Sequence, residues 1–149
     1  MIISQTPLRI GLLGGGTDLP GYYRQYGGRV LNCALDKYVY VIVKQRFDDA
    51  IYVNYSKKEI VSRVDDLEHE LVREAMHMAG VVNGVEITTL ADIPSGGSGL
   101  GSSSAVTVGL LQALFAYQGR QVSAEELAER ACTIEIERCR KPIGKQDQY

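Results

Sequence analysis

A loop of glycine and serine between an extended segment and an apolar helical run is the feature that most constrains this chain. Residues 93–107 read IPSGGSGLGSSSAVT, and their glycines allow positive φ angles and close approach of the backbone to a ligand. Residues 102–104 stand where a helix would begin, so unpaired N–H groups and the positive end of a helix dipole would meet there. Because residues 105–117 are apolar and helix-forming, the loop would rest on a buried support. The stretch predicts an anion-binding loop rather than a flexible linker.

Two common phosphate-binding motifs do not account for this loop. A Walker A loop continues from its glycines into Gly-Lys-Ser or Gly-Lys-Thr, and no lysine follows the glycines here. A dinucleotide-binding fold requires an acidic residue at a set distance beyond its glycines, and none is spaced in that way. The loop therefore indicates another class of anion site.

Length and composition exclude several classes of function. A chain of 149 residues suits one domain with a real core, and its net charge of −2 gives no indication of nucleic-acid binding. We find no apolar run long enough for a membrane span and no secretory leader, so no membrane association is predicted and the cytoplasm is the expected compartment. Cys33, Cys132 and Cys139 lack metal-ligand spacing and are interpreted as reduced, mostly packing cysteines.

Hydrophobic periodicity predicts an alternation of strands and helices. One predicted helix begins at Asp65 or Asp66 as its N-cap and carries His69 and His77. No third metal ligand is spaced to join these histidines, so we interpret them as exposed helix residues. Strands are predicted over 2–13, 50–54 and 84–90, one or two strands over 30–45, and helices over 65–78, 105–117 and 123–138.

Three segments of the chain resemble one family. Pro94 with residues 97–103 resembles the phosphate loop of the galactokinase, homoserine kinase, mevalonate kinase and phosphomevalonate kinase family, abbreviated GHMP kinases. Residues 7–18, PLRIGLLGGGTD, resemble its first motif, and residues 144–148, GKQDQ, resemble its Gly-x-x-Asp-Gln segment. The resemblance implies an α+β fold like domain 2 of ribosomal protein S5, a mixed sheet packed with helices. It also implies that residues 1–149 are the ATP- and substrate-binding N-terminal domain, and that a ferredoxin-like C-terminal domain is absent from this chain.

The same resemblance implies a role for each motif residue. Asp147 would be the general base for the acceptor hydroxyl, and Arg9 the cation that steadies charge beside it. Mg²⁺ would be held by Ser103 and a helix carboxylate, for which Glu137 is preferred over Glu135 with a one-residue gap left open. The substrate would be bound by Thr17 and Asp18 with Gly15 and Gly16. The ATP phosphates would lie on the loop residues Gly96, Gly97, Ser98, Gly99, Leu100, Gly101, Ser102, Ser103 and Ser104.

The choice of sugar depends on the resemblance alone. Galactokinases carry Glu-His before the Thr-Asp pair, whereas this chain has Gly15 and Gly16. The double glycine resembles heptose-phosphate and fucose kinases, and the surrounding residues are most similar to D-glycero-D-manno-heptose 7-phosphate kinases, which phosphorylate the anomeric hydroxyl. Arg24, Arg29 and Arg140 are candidates to meet the substrate's phosphate. The alternatives to this function are a fucose-type or other sugar kinase and a non-catalytic ligand-binding relative. For the assembly of the protein, a homo-oligomer and association with the missing C-terminal half are the two options.

Overall fold

The fold is α+β, as predicted, in a computed structural model that describes residues 1–94 and 99–149. The strands are β1 (Ile2–Leu13), β2 (Leu31–Gln45), β3 (Ile51–Asn54), β4 (Lys58–Val61) and β5 (Val85–Ala91). The helices are α1 (Pro20–Tyr26), α2 (Glu70–Ala79), α3 (Ser102–Tyr117) and α4 (Ala124–Cys132), with a 3₁₀ turn over Val64–Asp66 and a π-helical turn over Thr133–Arg138.

The strands form one mixed five-stranded sheet in the order β1-β2-β5-β3-β4. Strands β3 and β5 run parallel, with Ile51 beside Val85, and the other neighbouring pairs are antiparallel. Alternate residues of β2, Val39, Val41 and Val43, are fully buried on one face. That face is covered by α2 and α3, so the sheet is one layer of a two-layer core.

Helix α3 lies at the centre of the molecule. It is apolar on nearly all sides, as expected of a helix enclosed by other elements. Gly109 allows it to lie close to β1 and β2, because a Cβ at that position would come within 2.9 Å of Thr6 Oγ1. The Ser4 hydroxyl also donates a 2.8 Å hydrogen bond to the Gly109 carbonyl. These contacts hold α3 closely against β1 and β2.

Several predicted elements are confirmed, and others begin or end elsewhere. The helix predicted from Asp65 or Asp66 begins at Glu70, because the earlier residues form the 3₁₀ turn. Its N-cap is His69, whose Nδ1 accepts a 3.4 Å hydrogen bond from the Val72 N–H. The interpretation of His69 as an exposed helix histidine is therefore wrong, whereas His77 is exposed. Helix α1 and strand β4 were not predicted.

The last predicted helix is α-helical in its first part and π-helical in its second. Ser123 caps α4 as predicted, accepting a 3.2 Å hydrogen bond from the Glu126 N–H. The α-helix ends at Cys132, and the remaining residues form the π-helical turn. Burial raises the pKa of Cys132 to about 11, which agrees with packing cysteines. Cys33 is exposed on β2, so that interpretation fails for it. Among the residues that the structure describes, no helix is long and apolar enough to cross a membrane.

Candidate functional site

The glycine loop ends in a helix N-terminus that is ready to bind an anion. Gly101 is the N-cap of α3 in a left-handed conformation, with φ of 72°, and no side chain caps the helix. The first N–H groups of such a helix have no partner within it and point outward at its positive end. The site residues Ser102, Ser103 and Ser104 form this first turn. Gly99 and Leu100 precede them, while the predicted residues Gly96, Gly97 and Ser98 lie outside the described residues.

Arg9 joins the loop to the carboxylate of Asp147. Its Nε donates a 2.8 Å hydrogen bond to Asp147 Oδ1, and its Nη2 makes an ion pair with the same oxygen. Its Nη1 donates a 2.9 Å hydrogen bond to the carbonyl of Gly99. The backbone of Arg9 also donates to the carbonyl of Leu100. Residues that lie 138 positions apart in sequence are thus brought together at the loop, as the motifs predicted.

Among the described residues, the hydrogen bonds to the Asp147 carboxylate end on one of its two oxygens. Both contacts from Arg9 end on Oδ1, and within residues 1–94 and 99–149 no hydrogen bond ends on Oδ2. The side chain is partly exposed, and it lines a cleft of about 590 Å³ together with Arg9. A hydroxyl group in that cleft would have a free carboxylate oxygen as its hydrogen-bond acceptor.

The segment that resembles the first family motif ends in a turn whose polar groups are mostly bonded to the backbone. The Thr17 hydroxyl lies 2.8 Å from the Gly14 carbonyl and 2.9 Å from the Arg29 carbonyl, and it accepts from the Arg29 N–H. These bonds give Thr17 a structural role in closing the turn over residues 14–17. The predicted substrate residues Gly15 and Gly16 are exposed on this turn, which leaves the backbone accessible to a ligand.

Asp18 connects this turn to the segment that carries Asp147. Its Oδ1 accepts from the Gly16 N–H at 2.9 Å, and its Oδ2 accepts from the Gln146 N–H at 3.0 Å. The residue is buried, yet it lines a cavity of about 340 Å³ with Tyr23, Arg29 and Lys145. The predicted substrate residue is therefore hydrogen-bonded to the residue that precedes the predicted base.

The two candidate glutamates lie in different surroundings. Ser103 Oγ lies 3.3 Å from Glu135 Oε2, whereas Glu137 is exposed and lines a separate pocket with Arg24. Glu135 continues the buried stripe of α4, since it follows Ala128 and Ala131 at the spacing of one helix face. That spacing was readable in the sequence and would have favoured Glu135. Ser103 is thus hydrogen-bonded to Glu135, and among the described residues no hydrogen bond joins it to Glu137.

Glu135 is held by a small polar cluster. Gln148 Nε2 donates to Glu135 Oε1 at 3.1 Å and to Ser104 Oγ at 3.0 Å. Lys141 Nζ lies 3.0 Å from Ser103 Oγ and 3.7 Å from Glu135 Oε2. Among the described residues, no group of three His, Cys, Asp or Glu side chains is arranged to hold a metal. The protein would thus offer Mg²⁺ two oxygen ligands, and water and phosphate oxygens would complete the sphere.

A further pocket, beside the first turn of α3, was not predicted from the sequence. It has a volume of about 560 Å³ and is lined by Tyr55, His69, Leu90 and Val106 together with Ser102 and Ser103 of the first turn of α3. The rings of Tyr55 and His69 meet edge to face at 4.6 Å. Burial and the hydrogen bond to Glu59 raise the pKa of Tyr55 to about 12, while burial lowers the pKa of His69. Both rings are therefore neutral near pH 7, which suits an apolar, planar ligand.

These elements define a class of protein. The N-terminus of α3, the Arg9–Asp147 pair and the turn that carries Asp18 lie together in one α+β fold. The chain belongs to the GHMP kinases: the model of the family's N terminal domain matches residues 54–149. The predicted family is thereby confirmed, and the match includes the segments of the glycine loop and of residues 144–148.

Individual relatives cover the whole of this chain. It is 34% identical to the D-glycero-alpha-D-manno-heptose 7-phosphate kinase of Campylobacter jejuni, over 99% of this chain and 47% of the relative. It is 28% identical to the L-fucokinase/L-fucose-1-P guanylyltransferase of Bacteroides fragilis, over 100% of this chain and 19% of that protein. The crystal structure of a D-glycero-D-manno-heptose 1-phosphate kinase from Bacteroides thetaiotaomicron superposes with a TM-score of 0.91 at 30% identity, over 100% of this chain and 52% of that one. The chain thus spans about half the length of its heptose-phosphate kinase relatives.

Proposed function

We propose that this protein uses ATP to phosphorylate a hydroxyl group of a sugar or sugar phosphate. The observation that carries this proposal is the position of Asp147. Its carboxylate is tied through Arg9 to the phosphate loop at Gly99, and its segment is tied through the Gln146 N–H to Asp18. A phosphoryl donor on the loop and an acceptor at Asp18 would therefore meet beside this carboxylate.

The residues of the site support a simple division of roles. The first-turn N–H groups of α3 would bind the phosphate oxygens of ATP. The oxygen of the sugar hydroxyl would attack the γ-phosphorus while the bond between that phosphorus and ADP breaks. Asp147 Oδ2 would take up the proton that this hydroxyl loses. Arg9 holds Asp147 in place and places positive charge where the transferred group becomes more negative.

The polar cluster around Glu135 fits a magnesium ion. Ser103 Oγ and Glu135 Oε2 are hard oxygen donors only 3.3 Å apart, a separation that one cation can bridge. When bound there, Mg²⁺ would neutralise charge on the ATP phosphates. Ser103 and Glu135 would hold it, and the pocket of Tyr55 and His69 next to Ser103 would take the adenine ring.

For the acceptor we propose D-glycero-D-manno-heptose 7-phosphate, phosphorylated at its anomeric hydroxyl. Two relatives with names that specify a heptose phosphate support this choice, as does the Gly15-Gly16 pair. The cavity beside Asp18 adds cations for a substrate phosphate: Arg29 and Lys145 line it, while Arg24 lines a neighbouring pocket and Arg140 lines neither. The similarity to an L-fucokinase favours fucose as the second candidate.

The test is ADP release with Mg-ATP and a panel of acceptors: heptose 7-phosphate, heptose 1-phosphate, fucose, galactose and mevalonate. We expect turnover with heptose 7-phosphate, and a ³¹P spectrum that shows a new phosphate on C1. Turnover with fucose would replace the substrate and keep the class. Binding of ATP and sugar without ADP release by any form of the protein would favour a non-catalytic ligand-binding relative.

The assay should compare this chain with any longer protein that contains it. We propose that a second domain, of the kind expected from the relatives' greater length, completes the acceptor site. ADP release by the longer protein alone would support that arrangement. Full activity of the 149-residue chain would contradict it, and its mass in solution would then show whether two copies assemble.

A further inference from the structure

We propose that Lys141 is an internal cation that occupies the divalent-metal ligands and must withdraw from them, while keeping its ion pair with Glu70, before a metal ion binds. This depends on the assignment of Ser103 and Glu135 as the metal ligands under the proposed function. The affinity for the metal ion would then depend on its competition with Lys141 as well as on the two ligands.

The ammonium group of Lys141 contacts the same two oxygens that would hold the ion. Its Nζ lies 3.0 Å from Ser103 Oγ and 3.7 Å from Glu135 Oε2, and those oxygens lie 3.3 Å from each other. A magnesium ion requires bonds of about 2.1 Å and several further ligands around it. Two cations on one pair of oxygens would also repel each other strongly in a partly buried site.

Burial explains why a cation is needed there at all. The side chain of Glu135 is 0% exposed, and a buried carboxylate without a positive partner is costly. Gln148 supplies a hydrogen bond to Oε1, but Lys141 supplies the positive charge. Since the side chain of Lys141 is 24% exposed, it can withdraw toward solvent, whereas Glu135 cannot.

Glu70 offers Lys141 a second partner. Its Oε1 lies 3.5 Å from Lys141 Nζ, and its side chain is 47% exposed at the start of α2. A lysine displaced by a metal ion would keep this ion pair, so it would not be left without a counter-charge. Glu70 thereby lowers the cost of displacement.

The backbone restricts the motion to the side chain. The Lys141 N–H donates a 2.9 Å hydrogen bond to the carbonyl of Glu135. Arg140 adopts a left-handed conformation with φ of 52°, which turns the chain back after the π-helical turn. Residues other than glycine adopt that conformation at a cost, and such strain is concentrated at functional sites. Lys141 is thus anchored on the residue whose carboxylate it neutralises.

The test is a titration of free Mn²⁺ by electron paramagnetic resonance, with no nucleotide present. We expect Lys141→Met to bind Mn²⁺ about three- to tenfold more tightly than the wild type, because the competing charge is removed. Lys37→Met is the matched control: Lys37 is exposed on β2 and has no ion pair within the part of the chain that the structure describes. The control should bind Mn²⁺ as the wild type does.

A second variant acts in the opposite direction. Glu70→Gln removes the alternative partner of Lys141, so Mn²⁺ should bind about two- to fivefold more weakly. Part of that effect is the loss of a nearby negative charge, and the double variant Lys141→Met/Glu70→Gln measures that part. We expect the effect of Glu70→Gln to shrink by at least about half when Lys141 is absent.

The outcomes separate this inference from the proposed metal site. Equal or weaker Mn²⁺ binding by Lys141→Met would overturn the role of Lys141, provided that Glu135→Gln abolishes binding. Mn²⁺ binding that survives Glu135→Gln would overturn the metal site and the competition together. If Lys141→Met does not fold, an effect of Glu70→Gln that is unchanged in a Lys141→Gln background would overturn the inference in the same way.

Discussion

Gly144 touches Asp18 so closely that no side chain can be placed between them. A Cβ added at Gly144 would lie 1.9 Å from Asp18 Oδ2 and 3.0 Å from the Asp18 carbonyl oxygen. This contact joins the turn after β1 to the segment that carries Asp147, two regions that are remote in sequence. It explains why a glycine stands three residues before the predicted base.

Gly144→Ala should therefore weaken acceptor binding and stability together. The new methyl group would displace either the Asp18 carboxylate or the 144–148 segment, and we expect a cost of about 1–3 kcal/mol in the free energy of unfolding. Urea unfolding and the KM for the acceptor are the measurements. Gly21→Ala is the control, because a Cβ at Gly21 meets nothing within 4 Å and its φ is not positive. Wild-type values for both variants would show that the contact is dispensable.

Asp147→Asn should reduce turnover about a hundredfold or more, since an amide cannot accept the proton of the acceptor hydroxyl. The amide oxygen can still accept the hydrogen bonds from Arg9, so ATP binding should be retained. The measurement is kcat from ADP release, with ATP affinity measured separately. Asp36→Asn removes a carboxylate from the exposed surface of β2 and serves as the control. Turnover within a few-fold of the wild type would remove Asp147 from the role of base.

The two glutamates provide a matched pair for the metal. Glu135→Gln should raise the Mg²⁺ concentration for half-maximal turnover by about tenfold or more, because a neutral amide is a weaker ligand for a hard cation. Ser103→Ala should raise it too, since the hydroxyl beside Glu135 Oε2 is lost. Glu137→Gln, exposed and only two residues away, should leave the titration unchanged. A larger effect at Glu137 than at Glu135 would restore the original prediction.

The elements that the sequence predicted best were those with local causes. The loop over residues 93–107 was recognisable because glycine, serine and an apolar helix follow one another without interruption. Arg9 and Asp147 were recognisable only through their motifs, since nothing in either segment indicates that they meet. The capping box at Ser123 and Glu126 was predicted from spacing and was confirmed.

The features that were missed depend on tertiary contacts. Thr17 was predicted as a substrate residue, and the bonds between its hydroxyl and the backbone of Arg29 were not predicted. The π-helical turn and the left-handed Arg140 bring Lys141 onto Glu135, and no local propensity predicts either. His69 is the N-cap of α2 because the residues before it form a 3₁₀ turn and not the start of the helix. In each case the partner of the side chain depends on residues outside the local segment.

Lys145 should contribute to binding a phosphorylated acceptor. It lines the cavity with Asp18 and Arg29, and its Nζ lies 5.0 Å from the centre of the Tyr23 ring. Lys145→Met should raise the KM for heptose 7-phosphate about tenfold or more, with a smaller change for an acceptor that lacks phosphate. Arg140→Met is the control, since Arg140 does not line this cavity. Equal effects on both acceptors would show that Lys145 does not recognise the phosphate.

His69 should make the protein less stable as the pH falls below neutrality. Burial holds its pKa below the ordinary value of 6.5 in the folded state. As the pH falls through 6.5, the unfolded chain takes up a proton that the folded chain does not. The free energy of unfolding then decreases by up to about 1.4 kcal/mol per pH unit, until the pH passes the folded-state pKa. Protonation also removes the Nδ1 acceptor that caps α2 at the Val72 N–H.

His69→Asn isolates this effect, because asparagine is a good N-cap and does not titrate in this range. Urea unfolding at several pH values between about 7.5 and 5 should show a shallower decline for the variant than for the wild type. The difference between the two curves should be near zero above 6.5 and should grow below it. Parallel curves would mean that His69 binds its proton equally in the folded and unfolded states. A steeper decline in the variant would mean that folding raises the pKa of His69, which would contradict its burial between Tyr55 and the start of α2.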